Sequence, residues 1–480
     1  MQKNDNAPAG EAMPDGLPAP RRYWSMAAII LGISLSVLDA SIVNLALPDI
    51  TRDFGASASA AVWVVNAYQL ATLGLLLPCA QLGDRYGYRR VYLTGLVVFT
   101  LGSLACVVAG SLWWLAAARA VQGMGAAGMM SVNSALVRLT YPSHVLGRAI
   151  ALNSVVVAVS SVAGPTVAAL ILAVASWPWL FVVQLPLGVL VWFLGRRTLP
   201  ERRRGAAAAP LSGLDVVLNM LMFALIFLGA DVLGARSGTA ADLTHLLVAA
   251  ALLLAGLAVG AFYLRRQRRH AEPLLPVDLL RIPIFALSMC TSVTAFAAQT
   301  LAFICLPFLL LEGQGRSHLE AGMLITAWPA AIVLAAPIAG RLIPRVSGGL
   351  LGGIGLATMA AGLALLALAP DQPTGADMAW RLALCGLGFG LFQSPNNHTI
   401  VTSAPLRRAG AASGMLGTAR LTGQSLGAVL LGIVFSFAGV HDGGSKVALA
   451  VAALLGAAAA VFSLSRLRTP AASVVPTTKD

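Results

Sequence analysis

The sequence predicts an all-α polytopic membrane protein: two pseudo-symmetric six-helix bundles with two further helices inserted between them. Three observations predict it. First, of 480 residues 58% are hydrophobic and only 11% charged, under half the roughly 25% charge of a soluble protein. Second, the apolar residues form long continuous runs, whereas a transmembrane β-barrel alternates over about 10 residues. Third, basic residues are sorted between alternate connections, and landmark residues recur at a fixed offset. The same composition excludes disorder, which needs polar, charge-rich sequence. It also excludes a disulfide scaffold, because the five Cys (Cys79, Cys106, Cys290, Cys305, Cys385) all lie inside apolar runs.

Residues 1–22 are polar, with Pro8, Pro14, Pro18 and Pro20, and read as a disordered cytoplasmic tail. The apolar run from Trp24 is longer than the 7–15 residues of a signal-peptide core, and no small-residue cleavage site follows a short core. It reads as a retained first helix. A crossing takes about 20 apolar residues. On that rule helices fall near 24–48, 61–80, 91–110, 112–136, 146–172 and 178–195. Further helices fall near 214–235, 243–264, 283–311, 319–343, 349–369, 378–402, 410–437 and 446–465, fourteen in all. The chain then divides into a tail (1–22), an N-terminal bundle (23–197), cytoplasmic linkers with two inserted helices (198–281), a C-terminal bundle (282–466) and a cytoplasmic tail (467–480).

Charge sorting sets the sidedness. The net charge of +13 would suggest nucleic acid for a soluble chain; here it belongs to the connections, and no nucleic-acid partner is expected. With the N-terminus inside, the inner segments hold 25 Lys or Arg. The outer loops hold five, Arg52, Arg236, Arg316, Arg381 and Lys446, while Arg119 and Arg420 remain in the membrane. A miscounted helix would invert every later loop, so the bias favours an even count with both termini cytoplasmic. The excess of 29 Arg over 3 Lys, with abundant Ala, suggests a GC-rich bacterial coding sequence and hence a bacterial inner membrane.

The repeat is internal. Pro142 and Gly147 recur as Pro405 and Gly410, 263 residues later, and Gly123 and Gly125 as Gly386 and Gly388 at the same offset. Arg85 recurs as Arg345, 260 later. Two related halves imply a site between them, as in many secondary transporters.

Few residues carry chemistry. Asp39 lies mid-way along the first helix, where an ionised carboxylate costs several kcal/mol. Gly32, Ser36 and Asp39 share a face. Asp39 either handles a proton or cation or makes a helix-packing hydrogen bond. Arg119 in the fourth helix, with Gln122, Gly123 and Ala126 beside it, is either functional or bonded to backbone carbonyls. In helix 13, Ser413, Gly417, Arg420, Gln424 and Gly427 form a small polar stripe expected to line a cavity or the seam between halves. In helix 12, Phe392-Gln393-Ser394-Pro395-Asn396-Asn397 either reads a ligand or is a plain kink, since Pro395 frees the Leu391 carbonyl. The expected cavity set is Asn66, Tyr68, Gln69, Phe303, Trp328, Phe392, Asn396, Asn397, Arg420 and Gln424. Gly83-Asp84-Arg85-Tyr86-Gly87-Tyr88-Arg89-Arg90 reads as a loop between helices 2 and 3. Asp84 there is able to hold a helix N-terminus or an arginine and latch one conformation. Gly164-Pro165 in helix 5 combines close packing with a kink. The sequence has no phosphate-cradling GxxxxGK[ST] and no His or Cys cluster with metal-ligand spacing. No metal, no cofactor and no catalytic domain are expected.

These residues resemble the major facilitator superfamily, and within it the fourteen-helix drug:proton antiporter branch. Leu38-Asp39-Ala40-Ser41-Ile42-Val43-Asn44-Leu45-Ala46-Leu47-Pro48 looks like that branch's first-helix signature. Trp63 and Tyr68 match the start of helix 2, and Gly83 to Arg90 the loop 2–3 motif. Arg119, Gln122, Gly123 and Gly125 match the helix-4 motif, and Gly164-Pro165 the antiporter motif. The likeness runs from about Trp24 to Arg468. Some positions depart from it. Ala80 and Tyr88 stand where the loop motif usually has Gly and Arg. Ala168-Ala169 replace terminal glycines of the antiporter motif, and Pro344 replaces the acid of the degenerate second loop motif. Asn66 stands where some multidrug members carry an acid. Helix 13 has Arg420 and no acid, whereas relatives exporting quaternary cations tend to carry several membrane carboxylates.

The resemblance implies a major facilitator fold and proton coupling through Asp39 and Arg119. It implies a latch of Gly83, Asp84, Arg85, Gly87, Arg89 and Arg90. The expectation is a monomer in the lipid bilayer that expels small amphipathic compounds against protons, powered by the proton motive force. The alternative is a dedicated exporter of one endogenous metabolite.

Overall fold

A computed structural model describes residues 16–56, 58–201, 212–234, 243–268, 273–438 and 443–468. The expectations for residues 1–15 and 469–480, and for the linker residues 202–211, 235–242 and 269–272, fall outside them. The described residues contain helices and no strand. The long helices are α1 (Arg21–Phe54), α2 (Ala58–Tyr86), α3 (Tyr88–Val107), α4 (Leu112–Thr140), α5 (Leu146–Leu172) and α6 (Trp179–Thr198). Next come α7 (Gly213–Gly234) and α8 (Leu243–Gln267). The second half holds α9 (Pro283–Pro307), α10 (His318–Leu342), α11 (Gly348–Ala367), α12 (Gly375–Ser403), α13 (Ala409–Ala438) and α14 (Gly444–Ser465). Every predicted apolar segment overlaps one of these, and the segment 283–311 runs past α9 into the π-helical turn Phe308–Gly313. Among the described residues, ten helices are long and apolar enough to cross a membrane. Of the others, α4 and α12 carry the polar and glycine positions of the bundle interiors, which lowers their hydropathy. In α5 and α7 the apolar stretches among the residues with described side chains are Ser143–Val157 and Gly213–Gly229.

The helix starts follow local chemistry. The Ser111, Thr374 and Ser347 side chains accept from backbone N–H groups in the first turns of α4, α12 and α11. Ser317 and Glu320 form a reciprocal capping box at the start of α10. Large apolar side chains such as Leu101, Leu190, Phe193, Leu254, Leu257, Leu334 and Leu454 stay exposed on the outer faces. That is expected where lipid rather than water surrounds the bundle.

The sequence repeat is a repeat in space. α4 and α12 are both 29 residues long and start 263 residues apart; α3 and α11 are both 20 long and start 260 apart. The 3-10 turns Ser143–Val145 and Leu406–Arg408, again 263 apart, lead into α5 and α13. The paired glycines explain their own recurrence. A Cβ at Gly123 would collide with the Tyr68 carbonyl, and one at Gly386 with the Trp328 carbonyl. Trp328 stands 260 residues after Tyr68. Glycine therefore lets α4 reach α2, and α12 reach α10, at backbone contact. Across the halves α2 packs on α13, and its mate α10 packs on α5. The inserted α7–α8 hairpin lies against α2 and α13. There Asn219 Nδ2 donates to the Gly74 carbonyl at 2.7 Å. Asp215 pairs with Arg266 at 2.5 Å and ties α7 to α8. The Asp231 side chain lies outside the described residues.

Some sequence readings need correction. The tail does not run to residue 22. α1 begins at Arg21, Leu17 N donates to the Thr140 carbonyl at 3.0 Å and Arg21 Nε to the Thr198 carbonyl at 3.1 Å. Gly83 to Arg90 is not a loop. α2 continues through Tyr86, α3 starts at Tyr88, and the break is Gly87 alone, at φ 99°, a backbone region that glycine enters without cost. An apolar count stops at Ala80, while helical geometry continues into the polar end. Arg466, one of the 25 inner basic residues, is buried and donates to Ser288 Oγ at 3.0 Å and Asn396 Oδ1 at 2.8 Å.

Candidate functional site

Two polar centres lie inside the bundle. The first is enclosed within the N-terminal half. Asp39 on α1 and Arg119 on α4 are both fully buried, and Arg119 Nη1 meets Asp39 Oδ2 at 2.5 Å. Asp39 Oδ1 also accepts from Gln122 Nε2 at 3.0 Å and Gln184 Nε2 at 2.8 Å. Arg119 Nη1 also donates to Gln122 Oε1 at 2.6 Å, and Nε to the Val64 carbonyl at 3.2 Å. Ser103 on α3 closes the set, with its Oγ 3.1 Å from Gln184 Oε1 and 2.9 Å from Gln122 Nε2. The guanidinium lies over the Tyr68 ring, 4.3 Å from its centroid, with the Phe181 ring at 5.8 Å. The Tyr68 hydroxyl donates to the Ser36 carbonyl at 2.9 Å.

The chemistry follows from the enclosure. An isolated charge here costs several kcal/mol, and a matched pair with extra hydrogen bonds offsets that cost. Loss of either charge would leave the other without its ion-pair partner inside this enclosure. Gln184 and Ser103 were not singled out from sequence. Gln184 was findable as the lone amide in the apolar run of α6.

The second centre is a small cavity between the halves. It is lined by α1, α4 and α5 from one side and α9, α12 and α13 from the other, and it includes Asn133, Ser154, Phe296, Gln393, Asn397 and Arg420. Of the cavity set expected from sequence, Asn397 and Arg420 lie on it. Asn397 Nδ2 donates to Ser154 Oγ at 3.2 Å across the seam. The others lie elsewhere. Trp328 and Phe392 are fully buried in the apolar core of the C-terminal half, and Phe303 stacks on Trp328 with centroids 4.9 Å apart. Asn396 is taken by Ser292 Oγ at 2.7 Å and by Arg466. Tyr68 is held at the ion pair, and Asn66 is buried in α2. Gln69 on α2 and Gln424 on α13 are half-buried outside the lining. Aromatic identity in sequence says nothing of the direction a ring faces. Phe296, Asn133 and Asn153 were missed because nothing local distinguishes them.

At the end of the bundle that holds Gly87 the halves are latched. Asp84 Oδ1 accepts from Gly410 N at 3.0 Å and Oδ2 from Ala411 N at 3.1 Å, placing a carboxylate on the N-terminus of α13. Tyr88 donates to Asp84 Oδ1 at 2.6 Å. Gly83 lies against Val132 and Tyr88. Arg89 pairs with Glu201, just beyond the end of α6, at 3.2 Å and, among the described residues, makes no hydrogen bond or ion pair with the other half. Arg85 lies over Tyr86 at 5.2 Å, and Arg90 is exposed. Asp84 alone of the predicted latch residues thus bridges the halves. Arg138, Ser134 and Ser413 join it: Arg138 Nη1 donates to the Val401 carbonyl at 2.6 Å, and Ser134 N to Ser413 Oγ at 3.1 Å. Gly164 and Pro165 lie within α5, and the Pro165 side chain is outside the described residues.

Comparison with known proteins agrees with this architecture. The family model described as Major Facilitator Superfamily matches residues 29–428. The chain is 51% identical to an uncharacterized transporter, YebQ, of Escherichia coli K12, over 95% of this chain and 98% of that protein. It is 33% identical to the multidrug resistance protein Stp of Mycobacterium tuberculosis (strain CDC 1551 / Oshkosh), over 85% of this chain and 74% of that one. Among solved structures it is similar to the proton:xylose symporter XylE, with a TM-score of 0.65 at 14% identity, covering 93% of this chain and 96% of that one.

Proposed function

The chain belongs to the major facilitator superfamily, and from that premise we propose that it is a fourteen-helix exporter that expels small amphipathic compounds in exchange for protons. It is a membrane-embedded transport protein and not an enzyme. The drug-efflux part of the reading draws on its likeness to a multidrug resistance protein. α4 and α12 need less hydropathy than the outer helices because their polar faces turn inward.

The observation that carries proton coupling is the closed Asp39–Arg119 pair beside a separate cavity. Proton and substrate then use different places and communicate through the packing of α1, α4 and α5. In this reading the latched end is cytoplasmic, and the described state is closed on that side. A proton reaching Asp39 from outside unbalances Arg119, loosens α4 and favours release of Arg138 and Asp84, which opens the cavity inward. Substrate binding and proton loss restore the closed end. A proton moving down 100 mV supplies about 2.3 kcal/mol, and one pH unit adds about 1.4 kcal/mol. Together they sustain a gradient of several hundredfold for a neutral substrate at one proton each. No cofactor is proposed beyond the proton motive force.

The test is proton-driven accumulation of a fluorescent efflux substrate in inverted vesicles, with wild type and Asp39→Asn compared. The substrate is first identified by a susceptibility panel of cationic, neutral and anionic compounds on a deletion strain. Loss of accumulation in the variant is expected. Full retention would sink the coupling scheme, and sensitivity to a single compound would favour an exporter of one metabolite.

A further inference from the structure

The cavity between the halves obeys the internal repeat in position and breaks it in chemistry. At an offset of 263 residues, Arg420 corresponds to Val157, Gln393 to Met130, and Asn397 to Ser134, and all six line the cavity. The C-terminal half therefore offers a cation and an amide where the N-terminal half offers a valine and a methionine.

Arg420 is unlike the other interior guanidiniums. Arg119 has Asp39, and Arg466 has Ser288, Ser463 and Asn396. Arg408, at the start of α13, has Asp278 at 2.8 Å. Among the described residues Arg420 has neither an ion pair nor a hydrogen bond, and its Nε is buried without an acceptor. The carboxylate of the neighbouring half, Asp39, is committed to Arg119. Gln393 Oε1 and Asn133 Oδ1, on opposite walls of the same cavity, also lack donors. A guanidinium this deep is costly unless an acceptor meets it. Its flat Nε–Nη edge matches the two oxygens of a carboxylate.

We propose that the cavity selects organic anions: an amphipathic acid docks its acidic group on Arg420, its donor groups on Gln393 and Asn133, and its apolar body on Val157, Met130 and Phe296. This rests on the cavity being the transport site. Cations are disfavoured by like charge in a low-dielectric space. The selection is therefore by sign as well as by size and greasiness.

Two xanthene dyes of similar size test it: fluorescein, an anion, and rhodamine 6G, a cation. Binding to the purified full-length protein in detergent is read by fluorescence anisotropy, with folding checked by thermal unfolding. Wild type is expected to bind fluorescein at least tenfold more tightly than rhodamine 6G. Arg420→Gln should lose about tenfold or more of fluorescein affinity and gain rhodamine affinity, and Arg420→Lys should keep part of the preference. If Arg420→Gln fails to fold, Gln393→Glu serves instead: a carboxylate in the cavity should also invert the preference. Equal fluorescein binding by wild type and the folded variants overturns the proposal. So does tighter binding of rhodamine 6G by wild type, or no fluorescein binding at all. Asp39→Asn is run in parallel. Loss of sign selectivity with proton-driven efflux intact condemns only the anion site, whereas intact selectivity without proton-driven efflux in wild type condemns only the coupling scheme.

Discussion

Arg138 donates a hydrogen bond to the carbonyl of Val401 at 2.6 Å, and Val401 is the residue that stands 263 positions beyond it. A residue that touches its own repeat mate lies on the pseudo-twofold axis, so this contact marks where the halves close. The same Nη1 reaches the Ala404 carbonyl at 3.1 Å. One guanidinium thereby covers two carbonyls that the end of α12 leaves without helical partners. Val401 has no side-chain donor with which to reciprocate. Arg138→Ala removes two charge-assisted hydrogen bonds, together about 2 kcal/mol or more. The population with the halves apart at this end should rise at least tenfold. Spin labels at His144 and Leu406, on the two 3-10 turns, report it as a shift to longer distances. An unchanged distribution would mean that the contact is incidental.

The Asp84 latch makes a second prediction. Its carboxylate accepts from two amides at the start of α13. Asp84→Asn keeps the shape and loses the charge, at a cost of about 1–2 kcal/mol for a partly buried helix terminus. Gly410→Ala attacks the same contact from the other side, because its Cβ would lie 2.6 Å from Asp84 Oδ1. Both variants should move the same spin-label pair outward, and the double variant should add little to either. Additive effects would place the two residues in separate devices.

The repeat predicts where a latch is missing. Pro344 holds the position that corresponds to Asp84. Around it, a cavity of about 160 Å³ is lined by His144, Arg148, Arg341 and Arg345, with no acidic residue in the lining. Pro344→Asp would supply the acid that this face lacks, beside the start of α5 and among four basic side chains. It should favour the closed end by about 0.5–2 kcal/mol, seen as a narrower and shorter distance distribution. A shift to longer distances would show that this face does not take part in closure.

The fold was legible in the sequence to the extent that it depends on length and repetition. Lipid demands about 20 apolar residues per crossing, so helix positions show as runs, and the interlocking glycines at 123 and 386 show as a recurring spacing. Helix ends were less legible because helical geometry outlasts hydropathy, as at Gly83 to Tyr86. The site was legible only in its charges. Asp39, Arg119 and Arg420 are conspicuous because membrane interiors exclude them, yet the partners of Asp39 and Arg119 depend on how α1, α4 and α6 are rotated about their axes. Gln184 stands out in the sequence as the lone amide of α6, but its place beside Asp39 shows only in the packing. Trp328 and Phe392 failed for the converse reason: a large ring suits a core as well as a cavity, and composition does not distinguish the two.

The last prediction tests whether the buried pair acts as a unit. Asp39→Asn leaves the Arg119 guanidinium charged and enclosed with Gln122 and the Val64 carbonyl as its remaining partners. That should cost about 3–5 kcal/mol. Arg119→Gln should cost less, because Asp39 keeps the Gln122 and Gln184 amides as hydrogen-bond donors. In the double variant no charge remains and the surrounding amides are able to bond one another. The two losses should therefore fall short of adding by about 2 kcal/mol or more, within the range seen for contacting residues. Denaturant unfolding of the four proteins in one detergent measures the cycle. Strict additivity would show that Asp39 and Arg119 are stabilised independently, and a proton on Asp39 would then have no lever on α4. Strong coupling with retained fluorescein binding in the double variant would instead separate the proton lever from the Arg420 cavity, as two centres joined only through the packing of the helices between them.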